Sequence, residues 1–182
     1  MAKKEKPANS WRDIRAILSK ADDSEVLKLV GELYALRKEN QDFLHARYLK
    51  DADILVPYKE TIARYISPAE PWKNPVKTSL ARKAISDYRK AVGDPEKLTE
   101  LMLFYVECGV GHILDWDDND DAMQNSIFRV FAEGMETLDR CEKDVAGKLL
   151  PRFEAVVQST ANMNWGFYEA LRDTFEIYAP DV

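Results

Sequence analysis

Apolar residues recur at helical spacing along nearly the whole chain, and no segment reads as a strand. Trp11, Ile14, Ile17 and Leu18 share one side of a short helix that Ser10 can cap and that runs to Lys20. Val26, Leu29, Val30, Leu33, Leu36, Phe43 and Leu44 predict one long helix, opened by Asp23 or Ser24 and ending near Arg47 or Tyr48. Asn40 is polar within that stripe, so burial would oblige it to find a partner. Pro57 suits the first turn of a third helix carrying Tyr58, Ile62, Tyr65 and Ile66. Asn74–Pro75 and Asp94–Pro95 each read as an N-cap followed by a first-turn proline. Gly93 lies where a helix ending at Val92 needs its C′ glycine.

From Leu98 to Trp116 the apolar positions go almost all the way round, with Leu101, Phe104, Val106, Val110 and Leu114 on different sides. A helix apolar on every side is a central one. A further helix is predicted from about Ala122 to Cys141, and another from Asp144 to Thr160, which Pro151 should kink or restart. After a turn at "NMNW", with Asn164 as cap, a last helix carries Tyr168, Leu171, Phe175 and Tyr178. The expectation is an all-α fold of about eight helices, with short loops making neighbours antiparallel. An irregular bundle fits, and so does a short HEAT-like array of helical hairpins, since the pairs recur every ~40 residues without a repeated consensus.

The whole span 10–182 reads as one domain. Residues 1–9 read as a disordered tail, and the proline-rich stretch 67–75 as a linker inside the domain. The first ten residues, "MAKKEKPANS", have no apolar core and do not form a signal peptide. The longest apolar run, Leu101 to Val106, is far too short to span a bilayer. Cys108 and Cys141 lie apart within helical patterns, as reduced core thiols in a cytosol would.

Four stretches, "ENQDFLHARY" (39–48), "ARKAISDYRK" (81–90), "LTELMLFYVECGV" (98–110) and "NWGFYEAL" (164–171), resemble a bacterial family known only as a domain of unknown function. The resemblance covers most of the chain after residue 24. It implies a helical single domain in a bacterium. It brings no activity, cofactor or catalytic residue.

Charge is the more informative feature. The net charge of −6 hides a strong asymmetry. Residues 73–90 carry a net +5, residues 1–20 a net +4 and residues 94–144 a net −10. On a helical wheel with Lys77 at 0°, Arg82, Lys83, Arg89 and Lys90 fall together between about 120° and 240°, opposite Leu80, Ala84, Ile85 and Tyr88. Such a face is either solvated or offered to an acidic partner or to phosphate.

The stretch "ECGVGHILDWDDNDD" (107–121) tempts with three chemistries. Gly109 and Gly111 are not a nucleotide loop, because they lie within a helix and the third glycine position is Leu114. The aspartates are not an EF-hand. In the registers from Asp115 and from Asp117, position 6 is Asp120 or Ala122 and position 12 is Ser126 or Phe128. His112 and Asp115 share a face, but two ligands on one helix are not a metal site. The expected role is a helix end followed by an acidic cap. Trp165 with Tyr168 and Asn40 could line a small pocket.

The sequence therefore predicts a non-enzymatic interaction module of a bacterial cytosol, without cofactor, metal or membrane, whose partner surface is Lys77, Arg82, Lys83, Arg89 and Lys90. The partner would be a protein, a second copy included. A nucleic-acid accessory protein using the same surface is the alternative, and an enzyme or small-ligand binder near Trp165 the third reading.

Overall fold

The computed structural model describes residues 10–49, 54–118, 120–163 and 165–179. The tail expected over residues 1–9 and the cap expected at Asn164 lie outside them. Among the described residues there are nine helices and no strand, so the fold is all-α. The chain clusters into two compact units, Met1–Leu44 and His45–Val182. The division falls inside the third helix, and the proline-rich stretch 67–75 lies within the second unit.

The first unit holds α1 (Trp11–Leu18), α2 (Asp23–Leu36) and the start of α3 (Lys38–Tyr48). Side chains within one turn start both α1 and α2. Asp13 Oδ2 accepts from the Ser10 amide at 3.1 Å and from the Ser10 hydroxyl at 2.7 Å. Asp22, one residue before the expected cap, accepts from the Glu25 amide, and Glu25 returns the bond to the Asp22 amide. The single long helix expected from Asp23 to Tyr48 is in fact two. Arg37 adopts extended backbone (φ −150°, ψ 147°) and divides α2 from α3. Asn40 Nδ2 donates to the carbonyl of Leu33 at 2.6 Å, so the polar residue in the stripe satisfies a carbonyl that the break orphans. Neither α1 nor α2 buries a residue.

The second unit comprises α4 (Val56–Ile66), α5 (Thr78–Ala91), α6 (Pro95–Trp116), α7 (Asp121–Leu138), α8 (Lys143–Ser159) and α9 (Trp165–Tyr178). Helix α6 is the central one: α4, α5, α7 and α8 all pack against it. The pairs α4–α5, α6–α7 and α8–α9 each pack on the next pair, an arrangement that fits an irregular bundle and a short array of hairpins alike. Leu101, Met102, Leu103, Tyr105 and Val106 are fully buried. The all-round burial is not complete. Phe104 is half-buried, with the Lys59 ammonium 5.7 Å from its ring centre, and Leu114 in the last turn is exposed.

Some ends of these helices follow local chemistry, and two expectations fail. Asp94 caps α6, Gly93 takes the left-handed φ of 69° before it, and Asp120 caps α7. Helix α5, however, begins at Thr78 and not after Asn74. The amides of Lys73 and Asn74 turn back onto the Glu70 carbonyl, and the Lys77 amide donates to Tyr65 at the end of α4. These bonds hold the segment out of the helix. Its inner face uses Ala81 where Leu80 was expected, and Leu80 is exposed. Helix α8 runs through Pro151 without restarting. The carbonyl that loses its amide there belongs to Gly147, which is exposed and can be hydrated.

Two buried tyrosines in this core make opposite expectations. The Tyr105 hydroxyl bonds to Ser126 Oγ at 2.8 Å, whereas the Tyr88 hydroxyl is buried with no hydrogen-bond partner among the described residues. Tyr105→Phe should lower stability by about 1–2 kcal/mol, because it strands Ser126. Tyr88→Phe should be neutral or stabilising, because it removes a desolvated hydroxyl and keeps the edge-on contact with Tyr58. Paired urea titrations read both, and equal losses would refute the assignment.

Candidate interaction surface on the outer face of α5

The inner face of α5 fixes the outer one. Ala81, Ala84, Ile85, Tyr88 and Ala91 are buried against the bundle. Arg82, Lys83, Arg89 and Lys90 are therefore turned outward, and all four are exposed, as is Lys77 at the cap. The five basic residues named from the sequence lie on one helix and its cap.

Their charges are not equally available. Lys83 Nζ meets Asp87 Oδ2 at 2.5 Å one turn on. Arg89 donates to Glu133 Oε1 at 2.5 Å, across to α7. Both pairs are solvent-facing, worth up to about 1 kcal/mol each. Lys77, Arg82 and Lys90 form no ion pair among the described residues. Elsewhere Lys59 pairs with Glu100 and Arg152 with Glu107, so acids of the 94–144 segment are partly spent on bases outside it. The asymmetry written along the sequence is smaller on the molecule.

Beside α5 runs an open groove of about 420 Å³ towards α7. Ile85 and Val130 lie at it, and Ser79, Arg82, Ser86 and Arg89 offer hydroxyls and guanidinium groups around it. Glu133 occupies one end through its bond to Arg89. No sequence pattern pointed to Glu133. It stands forty-four residues from Arg89, and only the packing of α7 beside α5 brings it there. Chemically the surface is rich in donors, with its carboxylates Asp87 and Glu133 each held by a base of the same face, which suits carboxylate or phosphate oxygens.

The acidic stretch 115–121 is helix punctuation. Asp117 takes the left-handed turn that ends α6 (φ 50°), and Asp120 Oδ1 accepts from the Ala122 amide to start α7. Among the described residues no three His, Cys, Asp or Glu side chains are placed to hold a metal ion. Gly109 is a close-approach glycine: a Cβ there would lie 2.8 Å from Ile127. Burial pushes the Cys108 thiol up to about 11, which keeps it protonated and unreactive. Of the pocket suggested near Trp165, Asn40 is engaged by Leu33 within the first unit, and Tyr168 lies in the second under the Arg172 guanidinium at 5.6 Å. The side chain of Trp165 is outside the described residues.

His112 carries a cost that the sequence did not reveal. It is 1% exposed, and neither ring nitrogen has a hydrogen bond among the described residues. Asp118 Oδ2 lies 3.7 Å from Nε2, beyond hydrogen-bond range. Burial lowers the pKa of His112, against the opposing pull of Asp118 and Asp115. A histidine whose folded value is depressed contributes stability above its ordinary pKa and loses it as pH falls through the folded value. The chain should thus lose stability as pH falls below about 6.5, and His112→Phe should flatten that loss. Thermal melts across this window check it; parallel slopes for both proteins would contradict it.

In comparisons with known proteins, no family model, curated protein or solved structure matches the chain. Among the described residues no helix is long and apolar enough to cross a membrane.

Proposed function

We propose that this protein is a non-enzymatic interaction module of the bacterial cytosol, which docks an acidic protein partner on the outer face of α5. One observation carries the reading. Lys77, Arg82 and Lys90 are exposed cations without ion pairs among the described residues; Arg82 and Lys90 are fixed in direction by a helix whose other face is core, and Lys77 stands at its cap. Rigid, oriented charge steers a partner of opposite sign and sets its register. Lys83 and Arg89 take a supporting part, since their own carboxylates, Asp87 and Glu133, must first be exchanged.

The test is affinity recovery of the tagged full-length chain from its native host, followed by mass spectrometry, with and without nuclease. The reading expects one enriched protein with an acidic surface, insensitive to nuclease. Recovery that disappears with nuclease and falls log-linearly with salt would favour a nucleic-acid accessory role through the same residues.

A further inference from the structure

Helices α5 and α7 both pack on α6, and the groove between them is lined from α5 by a stripe of donors. Ser79, Arg82, Ser86 and Arg89 follow one another at three, four and three residues. At about 100° per residue they fall within about 80° of arc. Among the described residues that line the groove, Glu133 alone carries a carboxylate.

The two serines are the telling members. Thr61, Thr99, Thr137 and Thr174 each turn the hydroxyl back onto a carbonyl one turn earlier in the same helix. That is the ordinary partner of a hydroxyl inside a helix. Ser79 and Ser86 make no hydrogen bond among the described residues, so both hydroxyls remain available at the groove. Ser86 is half-buried and stands between the arginines, about 6 Å along the axis from Arg82 and about 4.5 Å from Arg89. An anion seated over Ser86 is within reach of both long side chains.

Glu133 decides which anion. Its carboxylate already holds Arg89. An incoming carboxylate has the same single charge and the same two oxygens, so exchanging it for Glu133 gains nothing. A phosphoserine or phosphothreonine brings a charge of about −1.5 to −2 and three strong acceptor oxygens. Those oxygens match two guanidinium forks and a hydroxyl together.

We infer that the groove between α5 and α7 receives a phosphorylated serine or threonine of the protein partner, held by Arg82, Ser86 and Arg89, with Glu133 as a built-in competitor that turns away plain carboxylates. This inference rests on α5 as the binding face and names the chemistry which that face reads.

The experiment titrates the full-length protein with capped phosphoserine (N-acetylated and amidated) and follows backbone amide and arginine Nε–H signals by NMR. Capped glutamate, capped serine and a thymidine oligonucleotide are the parallel probes. Phosphoserine should give saturable shifts confined to residues 79–89 of α5 and 130–133 of α7, and capped glutamate and serine should give none. Arg82→Ala should weaken phosphoserine about tenfold, since a charge-assisted bond is lost. Ser86→Ala should weaken it several-fold. Glu133→Gln should tighten phosphoserine and let capped glutamate bind. Asp87→Asn removes the same charge from the same face but outside the lining of the groove, and should do neither. Absence of saturable shifts overturns the inference. So does glutamate that binds wild type as tightly as phosphoserine, or Asp87→Asn acting like Glu133→Gln. An oligonucleotide that binds more tightly than phosphoserine, with shifts spreading to Lys77 and Lys90, overturns it in favour of nucleic acid. If phosphoserine fails while the native host still yields an acidic partner that depends on Lys77, Arg82 and Lys90, this inference falls and the reading of α5 stands.

Discussion

Phe153→Ala should cost about 3–5 kcal/mol and shift the urea midpoint without changing the slope. Phe153 is fully buried on α8, edge-on to Phe131 of α7 with ring centres 5.4 Å apart. Its rim also touches the Gly134 backbone of α7, where a Cβ would lie 3.0 Å away. Truncation would open a cavity beside a glycine, which has no side chain to swing into it. Loss of the aromatic pair adds about 0.5–1.5 kcal/mol within that total. A measured loss below about 1 kcal/mol would mean that α8 is not docked on α7 as described.

The paired glycines of α6 should respond with opposite signs. At Gly109 a Cβ would lie 2.8 Å from two atoms of Ile127 and 3.2 Å from Ile66, and both isoleucines are fully buried. Gly109→Val should therefore destabilise by about 2–3 kcal/mol through overpacking. Ile127→Val in the same chain should return part of the loss, since touching residues are not additive. Gly111 faces open space, and Gly111→Ala should gain up to about 1 kcal/mol from helix propensity. Thermal and urea unfolding of the three variants decide it. A stabilised Gly109→Val would overturn the packing of α6 on α4 and α7.

How much of this was legible beforehand depends on whether the cause was local. Asp94–Pro95, Gly93, the acidic cap of α7 and the Ser10 cap act within one turn of chain, and each was readable in the sequence. The central position of α6 followed from its apolar circumference. The break at Arg37 was not readable, because "ALRKEN" contains neither glycine nor proline; the one hint was Asn40, a polar residue needing a partner. The late start of α5 was hidden because a tertiary bond, Lys77 to Tyr65, sets it. The site divides in the same way. Helical spacing put Arg82, Lys83, Arg89 and Lys90 on one face. Which of them are neutralised depended on Glu133 arriving from α7, and that register is a property of packing.

The central claim is that the outer face of α5 is the surface that binds. Lys77→Glu, Arg82→Glu and Lys90→Glu change only exposed side chains without ion pairs among the described residues, so the melting temperature should stay nearly unchanged. The decisive measurement is quantitative mass spectrometry of what this triple variant recovers from the native host beside wild type. The expected result is a folded variant that loses the acidic partner enriched by wild type, since like charges then face each other. A folded variant that keeps the same partner in the same amount would contradict the claim.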